Sequence, residues 1–187
     1  MTIRSLFVLL IFLLGGCSSQ PSPTAYLDKS SVMVLPAPVL ATPFYRQQLL
    51  TATVGEGAHQ LMTVLEADGR QLTLVGLTPT GIRLFRVRYD QQGIATQQLS
   101  PLLATGMPPV TQVLADVMLC YWPLASWQSQ LPPGWTLRDQ GLTRRLRSPD
   151  GALVTEIGYQ DKGGVREPVS LQQHVFHYRL QLETLSQ

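Results

Sequence analysis

Charge is scarce in this chain. Of its 187 residues 14 are basic and 12 acidic, which makes 14% against roughly 25% in an ordinary soluble domain. A formal balance of +2 leaves no cationic excess to meet a phosphate backbone, which argues against nucleic acid as a partner. Lysine occurs only at Lys29 and Lys162. Recognisable chemistry is missing as well. There is no Gly-x-Ser-x-Gly elbow, Cys-x-x-Cys pair, His-Glu-x-x-His helix or glycine-rich phosphate loop. The expectation is a protein that is not an enzyme and uses no cofactor. Long apolar runs are also lacking, apart from Leu6 to Leu14, and that one falls short of the ~20 residues needed to span a bilayer.

That short run is informative for what surrounds it. Arg4 precedes it, and Leu14-Gly15-Gly16-Cys17 closes it with small residues before a cysteine. This is the layout of a bacterial lipoprotein signal peptide over residues 1–16. The Cys17 thiol is then the nucleophile that takes a diacylglyceryl group and fatty acid such as palmitate. Ser18 stands where Asp would signal retention at the inner membrane, so the expected location is the periplasmic face of the outer membrane, with outer-membrane lipid held through Cys17. With Cys17 acylated, Cys120 has no intramolecular disulfide partner. It lies in an apolar helical pattern and reads as a small buried residue.

Residues 17–43 carry Pro21, Pro23, Pro36, Pro38 and Pro43 among serines and threonines. They read as a tether of about 25 Å mean reach, with Val32 to Leu35 packing loosely against the domain. Residues 44–187 read as that one domain. Phe44–Val54, His59–Glu66, Arg70–Leu77, Ile82–Tyr89 and Ile94–Leu99 are short strands with connections too brief for parallel crossovers, hence an antiparallel meander. Asp68-Gly69 is a hairpin signal that predicts positive φ at the glycine.

The period then changes. Val110, Val113, Leu114, Val117, Met118 and Tyr121 form one stripe of a helix begun by Pro108-Pro109 and stopped by Pro123. A second helix is expected over Leu124–Leu131. Strands resume at Trp135–Arg138, Leu142–Arg147 and Ala152–Tyr159. The last, His174–Leu185, alternates, placing His174, Phe176, Tyr178, Leu180 and Leu182 on one face, the expected interior. His174 and His177 would face opposite sides of that strand, so no metal site is expected. Asp139, Asp150 and Asp161 read as turn residues. The fold class is mainly β with a helical insert (α+β), a curled antiparallel sheet of about nine strands wrapped round one or two helices.

The lipobox, the Pro-rich tether, the meander, the Met107-Pro108-Pro109 helix ending at Trp122-Pro123 and the amphipathic final strand resemble the LolB-like outer-membrane lipoproteins. The chain resembles still more an uncharacterised branch of Gram-negative lipoproteins, a domain of unknown function encoded in some aryl-polyene pigment loci. The resemblance covers about residues 44–186. It implies an unclosed barrel capped by helices, with an apolar cavity for an acyl chain, a polyene lipid or a lipoprotein as cargo, and a periplasmic carrier protein as partner. It also implies a membrane-facing turn at Thr78-Pro79-Thr80-Gly81, where Thr80 stands in place of the family's inserting leucine. If the helix is a lid, Val113, Leu114, Val117 and Met118 contact the cargo together with Leu72, Leu74, Leu84 and Phe85, and with Phe176, Tyr178 and Leu180 of the final strand. Three readings stay open: a lipid-binding module, an accessory lipoprotein whose barrel is filled with side chains, and a lipid hydrolase.

Overall fold

The computed structural model describes residues 23–98 and 108–186. Cys17 and the expected signal peptide lie outside the described residues. The first described elements are two three-residue strands, β1 (Thr24–Tyr26) and β2 (Val32–Val34), paired antiparallel. Asp28 closes their turn by accepting the backbone N–H of Ser30 and Ser31 at 2.7 and 2.6 Å. The Pro-rich segment is therefore folded in part. Ala25, Leu27, Met33 and Leu35 are all buried in the core. Apolar burial of these four outweighs the prolines, which sit outside both strands.

A ten-stranded antiparallel sheet comes next. Its first meander is β3 (Phe44–Val54), β4 (Gly57–Ala67), β5 (Leu72–Leu77), β6 (Arg83–Asp90) and β7 (Gly93–Gln98). The second is β8 (Thr136–Gln140), β9 (Thr143–Arg147), β10 (Leu153–Lys162), β11 (Val165–Gln173) and β12 (Tyr178–Ser186). The spatial order is β7-β6-β5-β4-β3-β12-β11-β10-β9-β8. The two meanders join where β12 pairs with β3, from Tyr178↔Val54 to Ser186↔Gln47. β7 and β8 are the two edge strands and do not pair with each other among the described residues, so the barrel is unclosed, as expected.

Three local readings need correction. The expected final strand is interrupted: residues 174–177 are a turn ending at His177 with φ 55°, and Val165–Gln173 is a strand in its own right. His174 and His177 thus lie in that turn and not on opposite faces of a strand. Pro168 sits at a bulge, where Gly158 pairs Ser170 but Tyr159 pairs Pro168, so its missing N–H leaves no gap in the ladder. Gly69 has no positive φ; Asp68 closes that turn instead, accepting the N–H groups of Arg70 and Gln71 at 2.7 Å each. The second helix is shorter than expected.

Helix α1 (Val110–Tyr121) starts at Pro109, whose carbonyl accepts the N–H groups of Gln112 and Val113. It ends at Trp122, extended as a residue before proline must be. Helix α2 (Leu124–Trp127) comes directly after it. Gln112 to Asp116 and Met118 to Cys120 are all buried, more than one face of a surface helix hides. The reason is the segment before the sheet: β1 packs on α1, and the Trp122 indole N–H donates to the Ala37 carbonyl at 2.9 Å. The helix is thus covered on two sides.

Candidate functional site: the seam under α1 and its mouth

Between α1 and the sheet runs an apolar seam. Leu50, Leu65 and Leu74 line it from the first meander, Leu171, Leu180 and Leu182 from the second, and Val113 and Val117 from the helix. The free space is about 20 Å³, room for roughly one water and no more. Among the described residues the seam is closed to anything larger.

At the N-terminal end of α1 a wider recess of about 360 Å³ opens to solvent. Tyr26, Val54, Pro108, Pro109 and Phe176 wall it, and the buried side chains of Gln112 and Tyr178 close its inner end. The strand connectivity puts the β3–β4, β5–β6 and β11–β12 turns at this same end of the sheet.

A polar set separates mouth from seam. The Tyr178 hydroxyl donates to Asp116 Oδ2, Gln112 Nε2 approaches Asp116 Oδ1 at 3.4 Å, and Gln112 Oε1 accepts the Tyr26 N–H at 3.2 Å. Asp116 lines the seam, while Gln112 and Tyr178 line the mouth. Burial pushes the Asp116 pKa up to about 7, against hydrogen bonds from Tyr178 and Gln112 that favour the ion. Burial likewise pushes the Tyr178 hydroxyl far up, helped by the neighbouring Asp116 charge. Near neutral pH this carboxyl is therefore poised between its two forms.

The other end of α1 is fastened. Arg144 on β9 donates from Nη1 to the carbonyls of Leu119 and Trp122 at 2.7 and 2.8 Å. The Tyr159 hydroxyl on β10 donates to the Cys120 carbonyl at 2.9 Å. These are carbonyls the helix terminus cannot satisfy itself. Asp139, expected in a turn, lies on β8 and holds Arg144. Asp150 and Asp161 do serve their turns, bonding the N–H groups of Ala152 and Gly164. Burial pushes the Cys120 thiol well up, which leaves it without thiolate character.

The structure divides the expected ligand residues. Leu74, Val113, Val117 and Leu180 meet in the seam, and Phe176 and Tyr178 at the mouth. Leu72, Leu84, Phe85, Leu114 and Met118 are buried in the core away from both spaces. Thr78-Pro79-Thr80-Gly81 forms the β5–β6 turn, where Thr78 Oγ1 and Thr80 Oγ1 are 2.8 Å apart. The bulky apolar residue there is Ile82, 64% exposed; standing beside Gly81, it was open to view in the sequence. Asp116 and Gln112 had no such signal, because polar residues on an apolar helix read as its solvated face. Among the described residues no group of three or more His, Cys, Asp or Glu side chains gathers to hold a metal. No helix among them is long and apolar enough to cross a membrane.

The fold and site define an antiparallel half-barrel covered by a helix, with a narrow apolar seam beneath it. The chain belongs to the family described as "Protein of unknown function (DUF3261)", whose profile matches residues 45–186. No curated protein matches it. Among solved structures it is similar to one described as a "putative outer membrane lipoprotein-sorting protein domain from Vibrio parahaemolyticus". The identity is 11% and the TM-score 0.43, over 76% of this chain and 83% of that one.

Proposed function

We propose that this is an outer-membrane-anchored periplasmic lipoprotein, acylated at Cys17, that binds the acyl or polyene chain of a lipid or lipoprotein at the mouth and along the seam. Its role is binding and transfer, not catalysis. One observation carries the reading. The helix that closes the interior seats Gln112 and Asp116, both buried, between an open recess of about 360 Å³ and an aliphatic seam. A purely structural core gains nothing from a buried carboxyl there, since apolar replacements of such groups are commonly neutral or stabilising. The mouth end of the helix is held through hydrogen bonds of Asp116 and Gln112 to Tyr178 and Tyr26, bonds that water can replace when the seam opens, while Arg144 and Tyr159 hold the other end. Displacing the mouth end would open the seam to a chain.

The closed seam supports a second reading, an accessory lipoprotein of an envelope assembly with a filled core. A fluorescent fatty-acyl probe separates the two. The delipidated protein takes up the probe saturably at micromolar concentration on the first reading, and Val117→Glu weakens uptake by placing a charge against the chain. Absence of saturable uptake by the wild type would establish the second.

A further inference from the structure

The β1–β2 hairpin is apolar on both faces, and only one of them is used. Ala25 and Met33 face each other across the pair and are buried. On the opposite face Tyr26 stands beside Val32, and Val34 beside Thr24. Tyr26, Val32 and Val34 are 53%, 47% and 39% exposed, and Val39 beyond them 41%. Three of the large exposed hydrophobic residues thus fall within two three-residue strands. Isolated exposed apolar residues need no explanation, but a contiguous group does.

We propose that this face lies on the phospholipid bilayer and brings the mouth of the half-barrel to the membrane surface. The inference rests on acylation of Cys17. From Cys17 to Pro23 is six residues, at full extension roughly 20 Å, so an acyl anchor keeps the hairpin within reach of the bilayer. Between Ser18 and Pro43 the only charges are Asp28 and Lys29, which cancel. Such a surface suits an apolar contact that does not depend on anionic lipid. Tyr26 also has two roles: it is the most exposed member of the face and a wall of the mouth. A hairpin laid on lipid through Tyr26 therefore sets the opening against the source of acyl chains.

The experiment uses the acylated full-length product bound to liposomes. An environment-sensitive fluorophore is attached at Val32→Cys, and for comparison at Leu142→Cys, an exposed site in the β8–β9 turn at the opposite end of the sheet. Native labelling spares Cys120, which is buried. We expect a blue-shifted emission and strong quenching by spin-labelled phospholipid at position 32, neither at position 142, and no change with ionic strength. Protein that floats with the liposomes but shows no lipid quenching at position 32 overturns the docking and leaves the anchor standing. Protein that does not float overturns the anchor, and the docking with it.

Discussion

Arg144 and Asp139 form a fork: Nε to Oδ1 at 2.8 Å and Nη2 to Oδ2 at 3.0 Å. That leaves Nη1 aimed at the end of α1, where it meets two backbone carbonyls. Only Arg offers a planar donor set able to serve a carboxylate and a helix end together. A second guanidinium, Arg166, reaches Asp139 Oδ2 at 2.8 Å and stacks on the Tyr159 ring with 4.0 Å from its carbon to the centroid. The closing helix is therefore tied to the second meander by charge, not by apolar contact alone.

Removing Arg144 should accordingly cost more than an exposed ion pair would. Arg144→Ala leaves the carbonyls of Leu119 and Trp122 without their donor and Asp139 with only Arg166. The expected loss is about 1–3 kcal/mol, the cost of leaving buried acceptors without their donor; Asp139, partly exposed and still paired with Arg166, adds little. A urea titration measures it, and a loss below about 1 kcal/mol, as at a surface bridge, would show that α1 holds without this clamp.

Asp116 gives a pH dependence of unusual sign for a carboxylate. Its folded pKa, about 7, lies above the ordinary value of 3.8. Between these two values the folded state binds the proton and the unfolded state does not, so stability falls as pH rises from about 4 to about 7. A carboxyl that keeps its proton through one further pH unit in the folded state loses about 1.4 kcal/mol of stability across that unit. Asp116→Asn keeps an acceptor for the Tyr178 hydroxyl and removes the titration. Denaturant midpoints measured across this interval should decline in the wild type and stay level in the variant, once the contribution of other groups, common to both, is subtracted.

Gly76 is required by Phe85. The two are partners across β5 and β6, and a Cβ built on Gly76 would lie 2.2 Å from Phe85 Cε1. Phe85 is buried, so its ring can shift only by displacing core neighbours. Gly76→Ala should cost about 1–3 kcal/mol by overpacking. In the Phe85→Leu background the same change should cost much less, a coupling that thermal melts of the four proteins of this cycle would register.

Helix α1 was legible because one apolar stripe between prolines has few other solutions, and the first meander because its turns are short. What stayed hidden had a common cause: packing overrode a local signal. The strand Val165–Gln173 was not expected at all; it carries Pro168, which a bulge absorbs. The prolines flanking β1 and β2 suggested a tether, and strands of three residues are too short to show alternation. At the site, Leu180 and Val117 could be read from periodicity. Arg144 is one of three arginines in the run Thr143-Arg-Arg-Leu-Arg147, and nothing local sets it apart. Its burial follows only from where the end of α1 falls, a long-range fact that no local pattern carries.

Leu180→Ala tests whether the seam is a binding surface or a core. Leu180 lines the seam from β12, opposite Ala52 on β3. Truncating it removes apolar contact and enlarges a space that now measures about 20 Å³; since Leu180 is partly buried, either reading predicts a stability loss near the low end of about 2–5 kcal/mol. The readings part on ligand. In a filled core the new cavity is simply vacant, and a fatty-acyl probe finds no more affinity for the variant than for the wild type. In a seam that opens to a chain, the cavity lowers the work of parting α1 from the sheet, because contacts that must break on entry are already gone. Probe binding should then tighten while the urea midpoint drops. Stability and affinity moving in opposite directions in one variant is the outcome expected here; a drop in the urea midpoint with probe binding unchanged would assign Leu180 to the core alone.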